Sequence, residues 1–191
     1  MSRYELLVFL HVAGAIIWLG SGFFLQVLVF RAQQTEDRGL MKSLGDSSEW
    51  FAQRIFIPVS LSVLLFGVLL VLDSVWEFDD VWVAIGLLGY LASFLTGLLL
   101  IKPEGEHIGK TIAAKGPAHP DVAKRVRKIN IISRVELVIL FVVVADMTLK
   151  PTDEDTGTLA VMAVIAAAAV AAGVWLIRSA GPVGEPASAP D

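Results

Sequence analysis

The stretch ELLVFLHVAGAIIWLGSGFFLQVLVF at residues 5–30 contains only two ionisable side chains, those of Glu5 and His11. About 20 helical residues cross the hydrocarbon core of a bilayer, so this run is long enough to span one. It is too long and too uniformly apolar for the alternating strands of a membrane barrel. The stretch therefore predicts a membrane-spanning α-helix.

Four further apolar runs follow, at about 55–72, 81–101, 131–149 and 159–177. The whole chain is 55% apolar and 18% charged, against about 25% charged in an average soluble domain. Its mean hydropathy is +0.71. These observations predict an all-α, polytopic bundle of five transmembrane helices over residues 1–178. Residues 179–191 are rich in Ala, Pro, Gly and Ser, which predicts a disordered tail.

The charges of the connecting segments predict the orientation. Residues 31–54 and 102–130 contain four and seven Lys or Arg residues, whereas 73–80 contain none and 150–158 contain only Lys150. Basic loops of membrane proteins stay in the cytoplasm. We therefore expect the N-terminus outside and the C-terminal tail in the cytoplasm. The sequence DSSE at residues 46–49 indicates a helix start before the second span, unless the segment is a solvated linker.

Composition excludes several classes of site and partner. The chain has no cysteine, so it has no disulfide, thiolate metal site or cysteine nucleophile. Its net charge of −4 gives no basic footprint for nucleic acid. Within residues 119–130, four cations precede the fourth span, and we expect them to contact anionic lipid headgroups: Lys124, Arg125, Arg127 and Lys128. A homo-oligomer or a membrane partner stays open.

Ionisable residues inside spans are functional candidates because their burial in lipid is costly. His11 lies about 10 Å along the first helix from Tyr4, and Asp146 lies one turn before Lys150 in the fourth span, so both are predicted near the outer face. Asp73 could join them. A histidine with carboxylates suits a metal or proton transfer. Alternatively, His11 only hydrogen-bonds a neighbouring helix and Asp146 is hydrated at the interface.

Polar residues also occur near the inner ends of the spans. We expect Arg134 to extend its side chain to the cytoplasmic headgroups. Glu136 lies deeper in the same span, and Arg54 at the start of the second span is a candidate partner for it. Small residues form stripes that let helices approach closely. In the first span they are Gly14, Ala15, Ser21 and Gly22, with Trp18 among them, and in the third span they are Gly86, Gly89, Ser93 and Gly97.

The sequence HVAGAIIWLG at residues 11–20 resembles the first helix of two groups of bacterial membrane proteins, the copper-resistance D-type proteins and the HemJ-type protoporphyrinogen oxidases. Both tend to show a His, a Trp six or seven residues later and a Gly just after it. The sequence DMTLKP at residues 146–151, together with Arg134, resembles a bacterial family of predicted integral membrane proteins of unknown function. The chain is identified as a member of that family over roughly residues 1–151.

These resemblances imply a bacterial cytoplasmic membrane protein of unknown function. In HemJ-type proteins the first-helix histidine is associated with haem, which implies a haem-ligand role for His11. Whether the protein is an enzyme stays open. The alternatives are a HemJ-like membrane oxidoreductase, a small copper or proton transporter that uses His11 or Asp146, and a structural membrane subunit.

Overall fold

The computed structural model describes residues 2–35 and 37–179. These residues form α-helices and contain no strand: α1 Arg3–Gln34, α2 Arg38–Phe51, α3 Ile57–Leu72, α4 Val81–Thr96, α5 Lys102–Lys115, α6 Pro120–Leu149 and α7 Thr156–Arg178. The chain divides into two compact units, one over Met1–Ile85 and one over Gly86–Asp191. The all-α prediction is therefore confirmed for the described part of the chain.

In the first unit, α1 begins with a capping box. The Ser2 hydroxyl accepts a hydrogen bond from the Glu5 N–H, and the Glu5 carboxylate accepts one from the Ser2 N–H. These bonds satisfy N–H groups that have no partner inside the helix. Helix α1 packs along α3, and a Cβ at Gly14 would lie 2.9 Å from Val63 Cγ2. The small-residue stripe of the first span thus gives α3 a close approach at Gly14.

The segment before α3 is helical, and the helix start predicted at residues 46–49 is wrong. Helix α2 begins at Arg38, and a π-helical turn over Ala52–Phe56 joins it directly to α3. Leu40, Met41 and Leu44 are half-buried, whereas Ser43 and Ser47 are exposed. This amphipathic spacing favours one continuous helix, and the polar residues that resemble a cap lie within it.

In the second unit, a π-helical turn over Gly97–Ile101 joins α4 to α5. Helix α6 packs against α5 and α7. It ends at Leu149, and its C-cap Lys150 has a φ of 48°, in the left-handed region, before the buried Pro151. Gly173 of α7 faces α6, since a Cβ there would lie 2.5 Å from Val135 Cγ2.

Four helical segments of the described residues are long and apolar enough to cross a membrane: Arg3–Gln34, Ala52–Leu72, Val81–Lys115 and Thr156–Arg178. The fourth predicted span, at 131–149, is not among them because its part of α6 contains Arg134, Glu136 and Asp146. The predicted tail at 179–191 lies, except for Ser179, outside the described residues. The burial pattern is that of a membrane protein, because many large apolar side chains are exposed while Asp146 is fully buried.

Candidate functional site

His11 joins the two principal helices of the first unit. Its Nδ1 lies 2.9 Å from the backbone oxygen of Val63 in α3. A Cβ at Gly67 would lie 3.0 Å from His11 Cε1 and 3.3 Å from His11 Nδ1. Gly67 comes one turn after Val63, so its missing side chain leaves the Val63 carbonyl open to the imidazole.

This hydrogen bond assigns different roles to the two ring nitrogens of His11. The nitrogen that faces a carbonyl carries the proton and donates it, so Nδ1 is the donor and Nε2 keeps its lone pair. Histidines that bind metals and haem are commonly oriented by such a bond at the second nitrogen. The same bond also fits the alternative in which His11 only connects two helices. Trp18 lies two turns further along α1 and is half-buried.

Asp146 has the least accessible side chain of the predicted site residues. Its exposed fraction is 0%, and neither carboxylate oxygen has a hydrogen-bond partner among the described residues. Gly86 of α4 faces Asp146 where α4 contacts α6. A Cβ at Gly86 would lie 3.7 Å from Asp146 Oδ2 and would collide with Met147 Cε. The alternative of a hydrated Asp146 at the interface is therefore not what the structure shows.

Glu136 lies on the same contact between α4 and α6. The Ser93 hydroxyl donates a hydrogen bond of 2.6 Å to Glu136 Oε1. A Cβ at Gly89 would collide with Val143 Cγ2 between the two carboxyl groups. Three members of the small-residue stripe in the third span thus contact α6, which confirms them as a packing surface, whereas Gly97 has no atom within 4 Å of an added Cβ. Sequence reasoning treated Ser93 only as a packing residue.

The remaining candidates are Arg54, Arg134 and Asp73. Arg54 is exposed in the π-helical turn of the first unit, and Glu136 belongs to the second unit, so their pairing stays a prediction. Arg134 is exposed on α6, so its extension to the headgroups stays a prediction. Asp73 at the end of α3 forms an ion pair with Arg3, with 3.6 Å between Nε and Oδ1. Such exposed pairs contribute little to stability.

The basic segment before the fourth span contains an ion-pair cluster that the sequence did not reveal. Glu104 of α5 lies 2.6 Å from Arg125 Nη1 and 2.5 Å from Lys128 Nζ on α6. The hydrogen bond from Lys128, with that from Arg125, holds the pKa of Glu104 below its usual range. Lys124 and Arg127 are exposed. Contact of this segment with anionic headgroups stays a prediction, with Lys124 and Arg127 as its accessible cations.

A metal site at His11 and Asp146 gains no support. Residues 2–35 and 37–179 contain no group of three or more His, Asp and Glu side chains that could hold a metal ion. His11 belongs to the first unit and Asp146 to the second, so their pairing also stays a prediction.

Comparison with known proteins places the chain in a family but adds no function. No curated protein matches the chain, and no solved structure matches it. The model of a family described as "Predicted integral membrane protein (DUF2269)" matches residues 5–151. The match covers α1 to α6 and ends before α7. It extends over more than half of the chain, so this integral membrane protein belongs to the DUF2269 family.

Proposed function

We propose that the protein crosses the bacterial cytoplasmic membrane five times, with α6 as the fourth span. The supporting observation is that the carboxyl groups of α6 are directed to other helices. Glu136 receives a hydrogen bond from Ser93, and Asp146 is fully buried against α4. Ionisable residues in membrane helices face the protein interior in this way. With five spans, the basic segments 31–54 and 102–130 share the cytoplasmic side.

The absence of cysteine makes this topology directly testable. Single cysteines are introduced at two exposed positions, Glu154→Cys and Lys110→Cys, and intact cells are treated with a membrane-impermeant maleimide. We expect labelling at position 154 in intact cells and at position 110 only after permeabilisation. Labelling of position 110 in intact cells would contradict the proposed orientation. Labelling of both positions from the same side would contradict α6 as a span.

We also propose that His11 would hold a haem through its imidazole. The observation that supports this proposal is the hydrogen bond from His11 Nδ1 to the Val63 carbonyl, which orients the ring and leaves Nε2 for a ligand. Bound haem needs as little as one protein donor, because the macrocycle supplies four nitrogen ligands and is retained by apolar contacts. A metal ion without a macrocycle needs three or more donors, which the described residues do not bring together. Haem is therefore the cofactor that a single anchored histidine fits best.

The donor set limits the kind of haem site. The chain has three histidines, and His107 and His119 belong to the segment between the third and fourth spans. His107 is exposed on α5, so no apolar surface surrounds its imidazole as it does that of the half-buried His11. A site within one chain would therefore use His11 as its one histidine ligand. When bound, haem supplies one-electron redox chemistry, and this chain contributes the ligand orientation through Val63 and Gly67.

The test is the visible spectrum of the purified protein, oxidised and then reduced with dithionite. The protein is expressed with haem available, beside His11→Ala and the exposed control His107→Ala. We expect a Soret band that shifts on reduction in the wild type and in the control and is lost in His11→Ala. Absence of the band in folded wild type would refute the haem proposal. His11 would then be a structural hydrogen-bond donor between α1 and α3.

A further inference from the structure

The fully buried carboxyl group of Asp146 has no hydrogen-bond partner in the part of the chain that the structure describes. An ionised carboxylate in an apolar setting requires a cation or several hydrogen-bond donors, and its oxygens have no hydrogen-bond partner among the described residues. A protonated carboxyl group carries no net charge, so its burial costs far less.

Among residues 2–35 and 37–179, the elements packed around α6 place no hydrogen-bonding cation on this carboxyl group. On α4, Gly86 faces it, and the next titratable residue is the buried Tyr90 one turn away. Helix α7 has no titratable residue from Thr156 to Ile177. On α5, Glu104 lies opposite Arg125 and Lys128 at the other end of α6.

Along the chain, the titratable groups nearest to Asp146 are Glu136 on α6 and Lys150 at its C-cap. Lys150 follows Asp146 by one turn and its backbone N–H donates to the Asp146 carbonyl, while no described residue, Lys150 included, donates a hydrogen bond to the Asp146 carboxylate oxygens. Glu136 lies ten residues earlier, about 15 Å along the helix, and accepts a hydrogen bond from Ser93. Neither contact neutralises an ionised carboxylate at position 146.

Met147 provides a cover for this group. The absence of a side chain at Gly86 leaves a notch in α4, and the Met147 methyl group occupies it next to Asp146 Oδ2. Methionine has several rotatable bonds and can leave such a notch without a backbone change. Asp146 lies one turn from the end of α6 at Leu149, so a short path would connect it to the aqueous phase once Met147 moves.

We propose that Asp146 is a proton-binding site within the membrane, covered by Met147 in the notch at Gly86. Its ligand is one proton from water, which forms the carboxylic acid and cancels one negative charge. The site rests on the proposed topology, in which α6 is the fourth span, but it is independent of the haem proposal, since it involves only residues of the second unit.

The experiment records the infrared C=O stretch of protonated carboxyl groups in the full chain, reconstituted in lipid at neutral pH. The Glu136→Gln variant serves as the background, so that Glu136 does not contribute to the signal. We expect a protonated-carboxyl band in the Glu136→Gln variant. We expect the band to be lost in the double variant that also carries Asp146→Asn. Absence of the band in the background variant, or a band that Asp146→Asn leaves unchanged, would overturn the proposal.

Two further variants keep the test decisive. If Asp146→Asn does not fold, Asp146→Glu should retain a protonated-carboxyl band at a shifted frequency, and an unshifted band would refute the assignment. Met147→Ala should accelerate deuterium exchange of the band, while the exposed control Thr148→Ala should not. Equal exchange rates in both variants would remove Met147 as the cover.

Discussion

Replacing Glu104 with glutamine should weaken the contact between α5 and α6. The Glu104 side chain is 13% exposed and contacts two cations, Arg125 at 2.6 Å and Lys128 at 2.5 Å. Glutamine has nearly the same size and keeps one oxygen, but it carries no charge. The substitution therefore removes the charge from two contacts while it leaves the packing in place.

The expected loss follows from the exposure of the partners. A hydrogen bond to a charged group contributes about 1.5–3 kcal/mol, whereas an exposed ion pair contributes about 0.2–1 kcal/mol. Arg125 and Lys128 are 35% and 41% exposed, so water screens both of them. We expect Glu104→Gln to lower the free energy of unfolding by about 1–2 kcal/mol. For a chain of this length, that loss corresponds to a decrease in Tm of about 2–8 °C.

The assay is thermal unfolding of the purified protein in detergent at neutral pH, with Glu106→Gln as the matched control. Glu106 lies two residues further along α5 and is exposed. The same charge change there should leave Tm nearly unaltered. Added salt should narrow the difference between wild type and Glu104→Gln, because it screens partly exposed charges. Equal Tm values for the two variants would refute the assigned ion-pair cluster.

The pH dependence of this difference has a definite sign. The two cations lower the pKa of Glu104 in the folded protein below its ordinary value of 4.5. A carboxylate with a lowered pKa stabilises the fold above its ordinary value. The stabilisation decreases as the pH falls through the lowered pKa. The difference in stability between wild type and Glu104→Gln should thus be constant near neutral pH and disappear in acid, and persistence in acid would contradict the reasoning.

Two further predictions concern substitutions of Gly173 and Gly67. Each has as its control a glycine where an added Cβ would have no atom within 4 Å. Gly173→Ala should lower the free energy of unfolding by about 1–3 kcal/mol in thermal unfolding, because the new methyl group would lie 2.5 Å from the β-branched side chain of Val135 on α6. Gly157→Ala on the same helix should leave the stability unaltered. Gly67→Ala should displace the imidazole of His11 and weaken its hydrogen bond to Val63 by about 0.5–1.5 kcal/mol. The NMR chemical shift of the imidazole nitrogens should change in this variant and stay unaltered in Gly20→Ala.

A different result would contradict each of these two glycine predictions. If Gly173→Ala has the same stability as Gly157→Ala, then α7 does not pack on α6 through this face. If the His11 nitrogen shift is insensitive to Gly67→Ala, then the ring is not held between α1 and the Val63 carbonyl.

Much of the helical architecture was predictable because its cause is local. In lipid, the backbone must satisfy its own hydrogen bonds, so a long apolar run has few conformations other than a helix. The runs at 5–30, 55–72, 81–101 and 159–177 each lie within a helical segment that is apolar enough to cross a membrane. The contact of the third-span glycines with another helix was also predictable, because the small residues of that stripe recur on one face. The charged residues 38–51 were harder to interpret, since an amphipathic helix and a cap use the same polar residues.

The environment of each polar residue was decided only by tertiary structure. The sequence by itself determined that His11, Glu136 and Asp146 lie in apolar runs. It could not determine that His11 meets the Val63 carbonyl, that Ser93 donates to Glu136, or that Glu104 contacts cations more than twenty residues away. The physical reason is that hydropathy depends on neighbours along the chain, whereas a hydrogen-bond partner depends on which helix lies alongside and on its rotation. Asp146 shows this dependence most clearly, because only the packing of α4 on α6 distinguishes a hydrated carboxylate from a fully buried carboxyl group.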